Sequence, residues 1–205
     1  MENNMRDHRD WELIGMRQDV QGITRDWQFV NQSCIHGVGF KQIDNVMTGY
    51  GALTEIYRRD WDLDNGMVDQ VFQSILEPGG ISGWHAHSVT TDRLFVGVGR
   101  MRIVLYDSRQ TSPTFGLVNE FRAGAARPGL IVIPPQVWHA VENIGNGSAL
   151  LINAVDKAYR YESPDHFRLP LDTDQIPYRF RQGQGDALDG VPSDRRAAAV
   201  GSASA

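Results

Sequence analysis

Between residues 50 and 155 the chain reads as short apolar runs, alternating or β-branched, each closed by glycine, proline or a polar turn. Segments 67–75, 94–98, 100–107 and 149–155 have the period of two, or the continuous apolar character, of β-strands. Gly129-Leu130-Ile131-Val132-Ile133 is an apolar strand running into Pro134, and 137–141 follows as another. Glu77-Pro78-Gly79-Gly80 and Gly145-Asn146-Gly147 are turn sequences. Many short strands punctuated this way favour a sandwich or barrel. Ser163-Pro164-Asp165-His166-Phe167 is expected to open one short helix, with Ser163 capping and Pro164 in the first position.

The pattern stops at both ends. Residues 1–33 are polar, with Trp11 and Trp27 as anchors, and are expected to form an N-terminal arm. Residues 34–181 then make the barrel domain. Residues 182–205, rich in Gly, Asp, Ser and Ala, are expected to form a flexible tail. Composition adds limits. The chain has 205 residues, 41% of them hydrophobic, enough for one domain with a sizeable core. A formal net charge of -5 leaves no basic footprint for nucleic acid. The single cysteine, Cys34, excludes an internal disulfide, fits a reducing cytoplasm, and is expected to be a small packing residue. No run approaches the roughly 20 apolar residues of a membrane span, and the N-terminus lacks the apolar run of a signal peptide. A cytoplasmic protein is expected, with a small-molecule substrate and no nucleic-acid or membrane partner.

The candidate chemistry is concentrated in two runs. One is Gly83-Trp84-His85-Ala86-His87-Ser88-Val89-Thr90-Thr91-Asp92; the other is Pro134-Pro135-Gln136-Val137-Trp138-His139-Ala140-Val141-Glu142-Asn143. The chain has six histidines, and three fall here. On an extended strand His85 and His87 share a face. Asp92 opens the next strand, and His139 arrives from another. Three imidazoles and one carboxylate suit a single divalent transition metal: iron, manganese, nickel, cobalt or zinc. Trp84 and Trp138 sit next to ligands, hence on the opposite face, as core or interface residues. Asn143 shares His139's parity and is a candidate for catalysis or for a turn.

These two runs resemble the paired motifs of the cupin superfamily, with Asp92 where glutamate is commoner and Gln136 where glycine is usual. The resemblance implies an all-β, cupin jelly-roll barrel with its site in the mouth. A narrower resemblance, over about residues 35–180, is to the dTDP-4-dehydrorhamnose 3,5-epimerase family. It rests on Gly51-Ala52-Leu53-Thr54-Glu55-Ile56-Tyr57-Arg58-Arg59-Asp60-Trp61, on Tyr106-Asp107-Ser108-Arg109-Gln110-Thr111-Ser112-Pro113-Thr114-Phe115-Gly116, on Tyr161-Glu162-Ser163-Pro164-Asp165-His166 and on Ile176-Pro177. That family is metal-free and uses a histidine base, a tyrosine acid and an aspartate partner for the histidine. His85 falls on the base position. Asp156 falls near the tyrosine position and is a candidate acid or base, or else an ion pair with Lys157 or Arg160. Ser82 replaces a phosphate-holding arginine, His87 replaces a glutamine, and Arg93 stands near the family's lysine. Tyr57, Arg58, Gln73 and Arg93 become candidates for substrate binding, with Arg58 and Arg59 alternatively a solvated pair beside Asp60. Related barrels pair through edge strands, so a homodimer is expected.

The expected activity is a metal-dependent isomerase or epimerase acting on a keto sugar or related hydroxycarbonyl compound. An iron-dependent dioxygenase or oxidoreductase, and a non-catalytic sugar- or metal-binding module, are the alternatives.

Overall fold

Among the described residues the chain forms twelve strands, several of them where the alternation placed them. A computed structural model describes residues 33–64 and 66–180, with Trp11, Leu13, Ile14, Met16 and Arg25. The expected arm and tail otherwise lie outside the described residues. The strands are β1 (Gly39–Gln42), β2 (Asn45–Thr48), β3 (Gly51–Thr54), β4 (Gln70–Leu76), β5 (Ile81–Ala86), β6 (Asp92–Val98), β7 (Arg100–Asp107), β8 (Val118–Gly124), β9 (Gly129–Ile133), β10 (Val137–Asn143), β11 (Ala149–Val155) and β12 (Phe167–Arg168). They form two five-stranded antiparallel sheets, ordered β1-β9-β6-β11-β4 and β12-β5-β10-β7-β8, and a hairpin of β2 and β3.

The sheets face each other across one core. Leu94, Val96, Ile131, Ile133 and Leu151 from the first meet Met101, Ile103, Leu105, Val137 and Val141 from the second. Both outer faces are covered as well. Ile176, Tyr178 and Phe180 pack on Trp84, Val104 and Ala140, while Ile56, Tyr57, Trp61 and Leu63 pack near Phe95 and Leu130. This double covering explains why β9 is buried at every position, Gly129 to Ile133, rather than alternating. With core filling one end of the sandwich, a cavity of about 640 Å³ opens at the other.

The expected helix at 163–167 does not form. Those residues are bends and irregular chain leading into β12, and the only helical element described is a 3-10 turn, Arg59–Trp61. The Asp165 side chain is held by donors from residues 88–90, which keeps the segment extended. Cys34, expected to pack, is exposed.

Candidate active site

Strand alternation determines which side chains reach the cavity. On β6, Asp92 and Leu94 point inward and line it, so Arg93 points outward. On β10, His139 and Val141 line it while Trp138 packs on the outer face. On β5 the register slips: His139 pairs with His85, but Val141 pairs with Ser82. This bulge brings both Ser82 and His85 to the cavity, although their spacing is odd. His87 follows His85 on the same side.

His87, Asp92 and His139 converge. Their donor atoms all lie within 4.8 Å of one another. Asp92 is 2% exposed; one of its oxygens accepts from Asn153 Nδ2 at 2.7 Å. The other faces His87 Nε2 at 3.5 Å and His139 Nε2 at 3.9 Å. Each imidazole directs Nδ1 at a backbone carbonyl, His87 at Asp165 and His139 at Val137. That assigns the proton to Nδ1 and leaves both Nε2 lone pairs aimed at the carboxylate. Burial, only partly offset by Asp92, keeps His139 below its ordinary titration range and therefore neutral. Two imidazole nitrogens and a carboxylate oxygen turned toward one point fit a divalent cation.

His85 is not part of this group. Its Nε2 accepts a hydrogen bond from Arg168 Nη1 at 2.9 Å, and a cation cannot share that lone pair with a guanidinium. Of the four side chains expected to meet, the structure brings three together. Burial, with His139, His166 and Arg168 adding to it, pushes His85 down to about 3, so it is neutral at physiological pH.

The other candidates fall elsewhere. Arg93 is fully buried and bound to Asp64 on the outer face, 5.8 Å from the Tyr57 ring. Tyr57 belongs to the covering of that face. Asp156, just past β11, accepts from the Thr91 amide at 2.8 Å and is not on the cavity wall. Arg58 is exposed and paired with Asp60 and Glu55. Gln73 has the wrong parity; its neighbours Phe72 and Ser74 line the cavity instead. Asn143 is the turn residue of the two readings: its Nδ2 donates to Leu76 and Gly147 oxygens, each at 2.8 Å, and its Oδ1 accepts from the Gly145 amide at 2.9 Å. Asn143→Ala is therefore expected to lower unfolding free energy by about 2–4 kcal/mol, because several buried partners lose their bonds. Urea denaturation measures this, and turnover per folded molecule should not change.

Sequence reading named no site residue in the segment from 157 to 168. Lys157, Tyr159, Arg160, His166 and Arg168 all line the cavity. The His166 ring lies 4.6 Å from that of His85 and 5.0 Å from that of His87. Asp165 anchors the segment, accepting from the amides of Ser88, Val89 and Thr90 and from the hydroxyls of Ser88 and Thr90. Burial alone would raise its carboxyl, but these bonds outweigh it and hold the group well below the usual carboxylate range. The tandem donors Ser88 and Thr90 were the available signal, and an acceptor from elsewhere in the chain was the missing half.

Comparison with known proteins agrees with this architecture. A family model described as Cupin matches residues 39–181. A probable low-salt glycan biosynthesis epimerase, Agl13 of Haloferax volcanii, is 35% identical over 139 residues, 67% of this chain and 89% of that protein. Spore coat polysaccharide biosynthesis protein SpsL of Bacillus subtilis is 30% identical over 146 residues, 71% of this chain and 96% of that one. The crystal structure of a dTDP sugar isomerase from Desulfovibrio desulfuricans superposes with a TM-score of 0.66 at 28% identity, covering 70% of this chain and 90% of that one.

Proposed function

This chain belongs to the cupin family, and from that premise we propose that it is a sugar epimerase acting on a keto sugar carried by a nucleoside diphosphate. In this reading it removes and returns the hydrogen on a carbon beside the carbonyl. One observation carries the proposal: a neutral imidazole, His85, opens into the same cavity as the His87, Asp92 and His139 donor group. A general base must be unprotonated and within reach of the carbon-bound hydrogen. His87, Asp92 and His139 would hold a divalent transition metal, which would supply Lewis-acid chemistry toward a carbonyl oxygen. Lys157 and Arg160 on the wall supply positive charge for a diphosphate, in place of the arginine that Ser82 replaces. The volume of about 640 Å³ falls within the roughly 300–1,000 Å³ of small-molecule sites. The names of the relatives, an epimerase and a dTDP sugar isomerase, support the same class.

The protein works as a homodimer in a cytoplasmic setting. Strand β4 is an edge with Val71 and Ile75 exposed, and the β2–β3 hairpin exposes Val46, Met47 and Leu53, apolar surface that a second copy would cover. Among the described residues no helix is long and apolar enough to cross a membrane.

The test is hydrogen exchange. Incubated with a dTDP-linked 4-keto-6-deoxyhexose in deuterated water, the metal-loaded protein is expected to place deuterium beside the carbonyl, seen by NMR, without oxygen. No exchange with this or the uridine-linked analogue overturns the proposal. Two histidines and one carboxylate also match the triad of non-haem iron oxygenases, so turnover that stops under anaerobic conditions would establish that second reading instead.

A further inference from the structure

We propose that Arg168 is a catalytic residue whose guanidinium moves from His85 to the substrate's carbonyl oxygen, freeing the base and holding the charge that forms on that oxygen. The inference rests on the epimerase reading and adds a residue to it.

Arg168, exposed on β12, differs from the better-covered arginines of this fold. Arg93, Arg102 and Arg109 each lie on a carboxylate, Asp64, Glu142 and Asp107 respectively. Arg168 lines the cavity and, among the described residues, donates only to His85, at 2.9 Å. Strand pairing sets this contact, because β12 runs antiparallel to β5 with Arg168 opposite His85. A guanidinium is held far less firmly by a neutral imidazole than by a carboxylate. The neighbouring His166 Nε2 is buried without a hydrogen-bond partner.

The contact has a chemical consequence. While Arg168 donates to Nε2, the lone pair that would take a proton is occupied. A protonated His85 in the same place would also set one cation against another. Base and guanidinium therefore cannot act in the resting arrangement, and an arriving carbonyl oxygen resolves the conflict by accepting from Arg168. The C–H bond beside the carbonyl then breaks and its proton goes to His85 Nε2. The C–H electron pair becomes the new carbon–carbon double bond, and the carbonyl π pair moves onto oxygen, where the guanidinium meets it. Reversal returns a proton to the carbon and restores the carbonyl.

The experiment compares wild type, Arg168→Ala and Arg168→Lys, metal-loaded, with the dTDP-linked 4-keto-6-deoxyhexose in deuterated water. Arg168→Ala is expected to lower kcat by about 10²–10³-fold, the loss seen for one oxyanion donor, with KM within about threefold. Added guanidinium ion should restore part of that rate in Arg168→Ala and leave wild type unchanged. Arg168→Lys, included in case the alanine variant does not fold, should fall between them, since an ammonium keeps the charge but not the reach. Exchange by Arg168→Ala, or by Arg168→Lys where only that variant folds, at the wild-type rate overturns the inference alone. So does a rise in KM at unchanged kcat, the mark of a ground-state clamp. A wild type that exchanges no hydrogen overturns the epimerase reading and this inference with it.

Discussion

His85→Gln is expected to abolish nearly all turnover, a loss of about 10²–10⁴-fold in kcat, the range a positioned general base contributes. Metal content should not change. The two expectations together separate the base from a ligand. Glutamine is close to histidine in size, and its side-chain oxygen can still accept from Arg168, so the β5–β12 contact survives. The imidazole lone pair that the proposed step uses does not. Because His85 Nε2 faces Arg168 and lies outside the donor group, its removal leaves His87, Asp92 and His139 as they were. Steady-state kinetics and elemental analysis of the same preparation check both halves. A variant that loses rate and metal together would return His85 to the ligand set that its spacing first suggested.

Much of the site was legible, and the limits can be traced to particular residues. Strands β4, β6, β7, β9, β10 and β11 followed from apolar periodicity, three of the four side chains expected to meet came from two short motifs, and the jelly-roll architecture from their resemblance to the cupin superfamily. Alternation also contained an answer not drawn from it. With Asp92 inward, Arg93 had to face out, and it lies on Asp64. The same parity carries Asp156 away from the cavity, and Gln73 as well. The bulge that aligns Ser82 with Val141 is a register event, and register depends on the partner strand. Arg168 and His166 were hidden for a different reason. They follow an irregular stretch whose course is set by Asp165 reaching residues 88–90, more than 70 positions earlier, a long-range bond that no local propensity encodes. Ser163 and Pro164 do carry a helix-start signal, and that tertiary bond overrides it.

Asp92→Asn is expected to lower affinity for a divalent transition metal by more than about 100-fold. Changes one step removed from a metal typically cost 10–100-fold, and this one deletes the only anionic donor of three. Its effect on the metal-free protein should be opposite in character. There the carboxylate is 2% exposed, with a hydrogen bond from Asn153 on one oxygen and two imidazole Nε2 atoms facing the other at 3.5 and 3.9 Å. A buried charge so poorly compensated is unfavourable. An asparagine amide keeps an oxygen for Asn153 and turns its NH₂ toward the two Nε2 lone pairs, supplying the donor they lack. The melting temperature of metal-free Asp92→Asn should therefore equal or exceed that of metal-free wild type. Adding manganese, nickel or zinc should raise the wild-type value and leave the variant's unchanged, because only a ligand bound to the folded state stabilises it. Thermal unfolding with and without metal, paired with calorimetric titration, reads all three quantities. A variant that binds metal as tightly as wild type would mean that the three donors do not act as a set. A metal-free variant that melts far below wild type would mean instead that Asp92 is there to hold the barrel together.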